Sequence, residues 1–311
     1  MPLNGGGTAS KPAGTTAVPN TTIASTAYNS TVDDIYNIFN TPRPVVYGGT
    51  GAADAAGART NLGLTTGTFG FLYGLTLSNN ATDATNDIDI SVGTAAEQDV
   101  ANPTLMTLAS AITKRLDAAW AVGSGNGGLD TGSIANTTYH VWLIQRSDTS
   151  VVDVLFSTSA TAPTMPANYD RKRRIGSIIR ESAAIVGFKQ FGKRFIRNTP
   201  KVTDSTFTAF GSSTITMDVP AGIQVRPIMI SQIITSASAN VAFSVGDAAV
   251  GSAAVPVQSL LCGAGSGCAD RTLIDYIVTN TSRQIYQALT IALGTVAQRE
   301  LTTVGWYDDT L

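Results

Sequence analysis

Charge is what this chain has least of. Asp, Glu, Lys and Arg make up 14% of its 311 residues, against roughly 25% in ordinary soluble domains. Thr, Ser, Ala and Gly fill the gap, so the surface stays wet through hydroxyls rather than ions, and Thr favours strands. The formal net charge of −2 supplies no long-range field to draw in nucleic acid or an acidic membrane. Histidine is nearly absent. The single His140 lies between Tyr139 and Val141 in an apolar strand pattern, which reads as a side chain held in a sheet rather than a catalytic base. No G-x-S-x-G elbow, P-loop or H-E-x-x-H run occurs. Cysteine is limited to Cys262 and Cys268, too few for a four-ligand zinc site. The small residues between them allow either a disulfide-closed loop or two buried thiols, and cytosolic assembly would favour the latter. No apolar run approaches about 18 residues, so no membrane-spanning helix is expected. The first residues, Met1-Pro2-Leu3-Asn4-Gly5, lack the charged start and apolar centre of a signal peptide, so assembly in a cytoplasm is expected. No repeat of roughly 20–50 residues appears, which argues against a solenoid. Nothing calls for a metal or cofactor.

What is present is organised in blocks. Residues 1–27 are rich in Gly, Thr, Ala and Pro and read as a linker, ordered only if it docks onto a partner or a neighbouring subunit. A helix follows over about Ser30–Phe39. Ser30 or Thr31 is its cap, and Asp33 and Asp34 lie in its first turn, where the helix dipole favours negative charge. Val32, Ile35, Tyr36 and Phe39 fall at i, i+3, i+4 and i+7 and make one apolar stripe. Pro42 and Pro44 end it. So short a helix is marginal alone, so the stripe packs either on its own chain or in a threefold bundle of copies.

The most distinctive run is Gly48-Gly49-Thr50-Gly51-Ala52 through Arg59-Thr60-Asn61-Leu62-Gly63-Leu64. A glycine-rich turn leads into an alanine-rich helix over Ala52–Thr60, stopped by Gly63 at a left-handed cap position. This run resembles the GGTGA…AR-x-NLGL element of bacteriophage tail fibre and related virion fibre proteins. The resemblance implies a segment placed between an N-terminal attachment region and distal β-rich domains. Trimerisation or anchoring roles are expected for Val32, Ile35, Tyr36 and Phe39, whose stripe a short helix cannot bury alone, and for Gly48, Gly49, Gly51, Arg59, Asn61, Leu62 and Leu64 of this run.

From Phe69 onward strand patterns dominate. They cover Leu75–Ser78, Ile88–Val92, Tyr139–Gln145, Val151–Phe156, Arg174–Arg180 and Ile185–Phe191. One helix is expected among them, because Leu105, Met106, Leu108, Ile112, Leu116 and Trp120 keep helical spacing. A boundary is expected near Asn198-Thr199-Pro200. Further strands follow at 214–219, 225–234, 241–245, 273–278, 286–293 and 301–307, the mark of a β-sandwich or jelly roll. The ending Val304–Asp308 resembles the last strand of small phage fibre-tip domains. The fold class is therefore mainly β: an extended N-terminal anchor with short helices (1–68), then two β-sandwich or jelly-roll-like domains (69–197 and 198–311).

Candidate chemistry is thin. Asp87 and Asp89, at i and i+2 of a strand, share a face and could hold a metal or a sugar, or could be a solvated edge beside Ile88 and Ile90. Asp308 and Asp309 read as a solvated end. Nine of the chain's 20 basic residues lie between 171 and 197. Within them Arg171, Lys172, Arg173 and Arg174 form a candidate partner-binding patch for phosphate or an acidic protein face, with a solvated strand face as the plain alternative. Aromatic interleaving is too sparse for nucleic-acid binding. Trp142 and Trp306 belong to the core pattern. Loops 246–256 and 262–270 are candidate receptor contacts.

The resulting expectation is a non-enzymatic virion structural protein. It would be a homotrimeric tail or baseplate fibre that attaches to other tail, baseplate or neck proteins through its N-terminus and to host-surface glycan distally. It would be assembled in the host cytoplasm, with no nucleic-acid partner and no membrane insertion. A head or neck (collar) fibre or decoration protein, and a surface-glycan depolymerase using Asp87 and Asp89, remain the alternatives.

Overall fold

The computed structural model describes residues 19–20, 22, 25–40, 49–52, 54–63, 70–98, 103–251 and 255–311. The chain divides into two compact units, Met1–Phe69 with Ala101–Pro103, and Gly70–Val100 with Thr104–Leu311.

The first unit contains helices α1 (Ser25–Asn40) and α2 (Ala55–Asn61). Helix α1 starts a turn and a half earlier than its sequence suggests, so Asp33 and Asp34 lie mid-helix and the first turn carries no acidic residue. The linker expected over residues 1–27 falls almost wholly outside the described residues.

The second unit is built from strands. Its first half carries β1 (Leu72–Gly74), β2 (Leu77–Asn79), β3 (Asp87–Ile90), β4 (Gly93–Ala96), β5 (Leu105–Leu108), β6 (Ile112–Ala119), β7 (Gly127–Leu129), β8 (Thr138–Gln145), β9 (Val152–Ser157), β10 (Arg171–Glu181), β11 (Ala184–Ile185) and β12 (Phe188–Phe191). The second half carries β13 (Arg194–Asp204), β14 (Phe210–Thr216), β15 (Arg226–Thr235), β16 (Ala239–Gly246), β17 (Val255–Cys262), β18 (Ala269–Ile274), β19 (Gln284–Leu293) and β20 (Val296–Tyr307).

The expected helix at 105–120 is two strands. Met106, Leu108 and Leu116 point inward at period two. The inward position between Ile112 and Leu116 is held by Lys114, fully buried, and this charge hides the alternation. Its Nζ is 3.1 Å from Asp153 and donates to the carbonyls of Ala121 (2.7 Å) and Gly123 (3.2 Å). A buried ammonium is tolerated only when so fully paired.

Strands β13 to β20 form a jelly roll. One sheet runs β13-β20-β15-β18 and the other β14-β19-β16-β17. Every pairing is antiparallel. The chain crosses between sheets in the double Greek-key order of an eight-stranded jelly roll. Met229, Ile233, Phe243, Val245, Ile285, Leu289 and Leu301, inward residues of β15, β16, β19 and β20, fill the space between the sheets.

This sheet does not stop at the jelly roll. Through the β12–β13 hairpin it continues as β12-β2-β3-β6-β7-β9-β8-β10-β11, giving one 13-stranded sheet. The boundary expected near residue 198 falls inside β13, whose residues on both sides of it pair with β20. Strand β8 is buried along its whole length. Val141 and Leu143 face the main core, while Trp142 and Ile144 meet Leu155 and Tyr169 on the other face.

Candidate functional site

The sequence candidates in the first unit divide by exposure. On α1, Val32 is half-buried, but Ile35 is 36% and Tyr36 63% exposed, and Tyr28 two turns back is 64% exposed. Ile35 and Tyr36 are therefore left open, while Val32 is partly covered. The side chain of Phe39, like Gly48 and Leu64, lies outside the described residues.

The Gly49–Gly63 run is folded on itself. Asp54 caps α2 by accepting from the Gly57 amide at 2.7 Å. A Cβ on Gly57 would lie 2.9 Å from that of Ala52, so only glycine allows that approach. At the other end Gly63 adopts φ +70°, the left-handed stop expected from sequence, and its amide reaches the Thr60 carbonyl. Asn61 Nδ2 donates back to the Thr50 carbonyl at 2.8 Å, closing the helix end onto the glycine turn at Gly51. Arg59 and Leu62 are left exposed.

The basic run lies in β10, where alternation splits it between two faces. Arg174 is buried, forked onto Asp308 with contacts of 2.5 and 3.0 Å, and in contact with Thr310 and Ser177. Asp308 is fully buried, so the end expected to be solvated is instead an internal ion pair, and Asp309 pairs with Arg226. Lys172 lies over the Trp142 ring and donates to the Thr161 carbonyl. Arg171 is 3.8 Å from Glu97 and donates to Gln145. Arg173 sits beside them with interactions of its own. These four side chains are thus largely spent within the chain.

His140 is buried beside that ion pair, with Nδ1 2.9 Å from Ser177 Oγ. Burial and the adjacent Arg174 charge lower its pKa to about 4. It is the sheet histidine the sequence implies. Asp87 and Asp89 do share one half-buried face of β3. Asp89 accepts from Asn80 and Thr113, while burial, then the neighbouring Asp83, raises the Asp87 pKa. Cys262 and Cys268 form a disulfide.

The concave feature that sequence reading missed lies where β10, β11, β13 and the turn before β19 meet. Two clefts of about 360 and 370 Å³ adjoin there and share Glu181, Ser182 and Lys201. Glu181 is the hub, at 2.5 Å from Arg197 and 2.7 Å from Lys201, and Lys201 reaches Asp218 at 2.7 Å. Despite partial burial, these cations hold the Glu181 carboxyl below its usual range, and the two carboxylates hold Lys201 above its own. Glu181 and Lys201 are thereby held in their charged forms, which suits binding rather than proton transfer. Arg180 donates to Asn136 and the Ala183 carbonyl, and its Nε is buried without a partner. The β10–β11 hairpin closes through Ser182 (φ +50°) and Ala183 (φ +63°), and Arg283 opposite has φ +66°. The pattern Glu-Ser-Ala-Ala contains no Gly or Asn, the residues that announce a left-handed two-residue turn, so nothing in it signalled a hairpin.

No family model and no curated protein matches the chain. Among solved structures it is similar to the T13 viral particle of infectious bursal disease virus, with a TM-score of 0.19 and 9% identity over 75% of this chain and 68% of that one. It is likewise similar to structures of that virus's Gx strain (TM-score 0.17, 8% identity, 76% and 69% covered) and Gt strain (TM-score 0.18, 10% identity, 76% and 68% covered). The jelly roll is defined by the strand order of its two sheets.

Proposed function

We propose that this is a structural protein of a virion, of the phage fibre type, which works by attachment as a homotrimer organised by residues 1–68. The observation that carries the reading is the stripe of α1, where Ile35 and Tyr36 stand exposed on one side of a helix. Next to it in sequence, the Gly49–Gly63 run closes its own helix ends through Asp54 and Asn61 and leaves Arg59 and Leu62 exposed. Both features call for partners, and copies of the same chain around an axis provide them. Three copies raise the avidity of weak distal contacts through effective concentration. Attachment rather than turnover is supported by the cleft, whose two carboxylates, Glu181 and Asp218, are locked in ion pairs.

The test is the solution mass of the full-length protein, by sedimentation or light scattering, repeated on a chain beginning at Gly70. A mass of three chains that falls to one on truncation is the expected result. A monomer at both lengths would overturn the trimer.

A further inference from the structure

We infer that the double cleft around the β10–β11 turn is a binding site for an acidic saccharide, a short run of sugar rings carrying a carboxylate or phosphate group. The inference deepens the attachment reading and rests on it for biological meaning, but the site stands on its own chemistry.

Charge comes first. Arg180, Arg197, Lys201 and Arg283 line the two clefts against only Glu181 and Asp218. The two carboxylates are consumed by Arg197 and Lys201. Arg180 and Arg283 are left with no carboxylate partner among the described residues, and the Arg180 Nε proton is buried and unused. A planar guanidinium with open donors selects carboxylate and phosphate over other groups.

Shape and lining then set the rest of the ligand. Each cleft falls within the roughly 300–1,000 Å³ of small-ligand sites, and shared walls make them one trough. The Arg180–Arg283 part adds Asn136 and Thr137, and the other part adds Asn198 and Thr199 beside Val186 and Pro200. A molecule with one anionic group and a hydroxyl-rich, partly apolar remainder matches this sequence of surfaces. A free inorganic anion would use only the first part. A polyanion such as nucleic acid would meet Glu181 and Asp218 along the trough.

Backbone strain points to the same place. Of the seven non-glycine residues with positive φ among the described residues, Ser182 and Arg283 line this trough and Ala183 lies between two lining residues, Ser182 and Ala184. Such conformations cost of order 1–3 kcal/mol each and gather at ligand clamps.

The test is calorimetric titration of the full-length protein with trigalacturonate, with maltotriose as the neutral trisaccharide of equal length, and with inorganic phosphate. Trigalacturonate is expected to bind at least tenfold tighter than either and to weaken as salt rises. Arg283→Gln is expected to lower that affinity about tenfold with a nearly unchanged melting temperature, since the partly buried Arg283 side chain makes no hydrogen bond or ion pair among the described residues. Equal binding of the acidic and neutral trisaccharides, no binding of either, phosphate binding as tightly as trigalacturonate, or an unaffected Arg283→Gln would each overturn the site. None of these outcomes alters the solution mass, so failure here is separable from failure of the trimer.

Discussion

Arg174 and Asp308 illustrate how a residue's meaning is decided by a partner far away in sequence. Taken singly, one belongs to a basic run and the other to a polar end, and both read as solvated. Together they form a buried fork, which alone repays the cost of burying either charge. Nothing local in Asp170-Arg171-Lys172-Arg173-Arg174 separates the one arginine that goes inside from those at the rim. The neighbouring His140 was legible, because its apolar strand neighbours already placed it in a sheet, and its burial has a measurable signature. Its pKa is about 4 in the folded chain against 6.5 for an ordinary histidine. As pH falls below 6.5 the unfolded chain takes up a proton that the folded chain refuses. Stability is therefore complete above that value and is lost as pH falls toward 4. The loss between pH 7 and 5 is about 2 kcal/mol from this one group. Carboxylates held low, such as Glu181 and Asp309, act only below their ordinary values of 4.5 and 3.8. Denaturant unfolding of His140→Gln is expected to show a flatter stability profile between pH 7 and 5. An unchanged slope would mean that the histidine titrates normally.

At the scale of elements, reading succeeded where polarity followed periodicity and failed where a core position was charged or a turn lacked its usual residues. Strands β8, β9, β10, β15, β16, β19 and β20 and the Gly63 stop were all legible. Strands β5 and β6 were not, because Lys114 occupies an inward position. The β10–β11 turn was not, because its two left-handed residues are Ser182 and Ala183. Strand β17 was hidden by Val255-Pro256, a pair that reads as a loop but begins an edge strand, where proline's missing N–H is harmless. The turn yields a prediction. Ala183→Gly removes a left-handed conformation that costs an alanine about 1–2 kcal/mol, partly offset by the unfolded-state entropy of glycine. A rise in melting temperature of roughly 2–4 °C is expected, and a fall would show that the turn does not hold that conformation in solution.

The whole second unit is stitched together by one sheet. Its two halves share the β12–β13 hairpin, and the Arg174–Asp308 fork ties β10 to the residues after β20. The sequence expectation of two domains was reasonable, since Asn198-Thr199-Pro200 looks like a linker, yet the chain runs through it as β13. Two halves that share a continuous sheet and a buried ion pair cannot melt independently. Calorimetry on residues 70–311 is therefore expected to show one transition whose calorimetric and van't Hoff enthalpies agree. Two resolved transitions would show that the two halves melt independently.

Strand β20 sits between β13 and β15, near the middle of the jelly-roll sheet, although it is the last strand in the chain. During synthesis, β13 and β15 must wait with open edges until residues 296–307 have left the ribosome. The slowest and most long-range pairing comes last, and until then these edges can be satisfied by another nascent chain as readily as by their own. For a protein whose proposed role is to gather copies of itself, the order of strands makes folding a race between closing the roll and joining a neighbour wrongly. A helper that shields β13 and β15 during translation is expected to raise the yield of correctly closed chains.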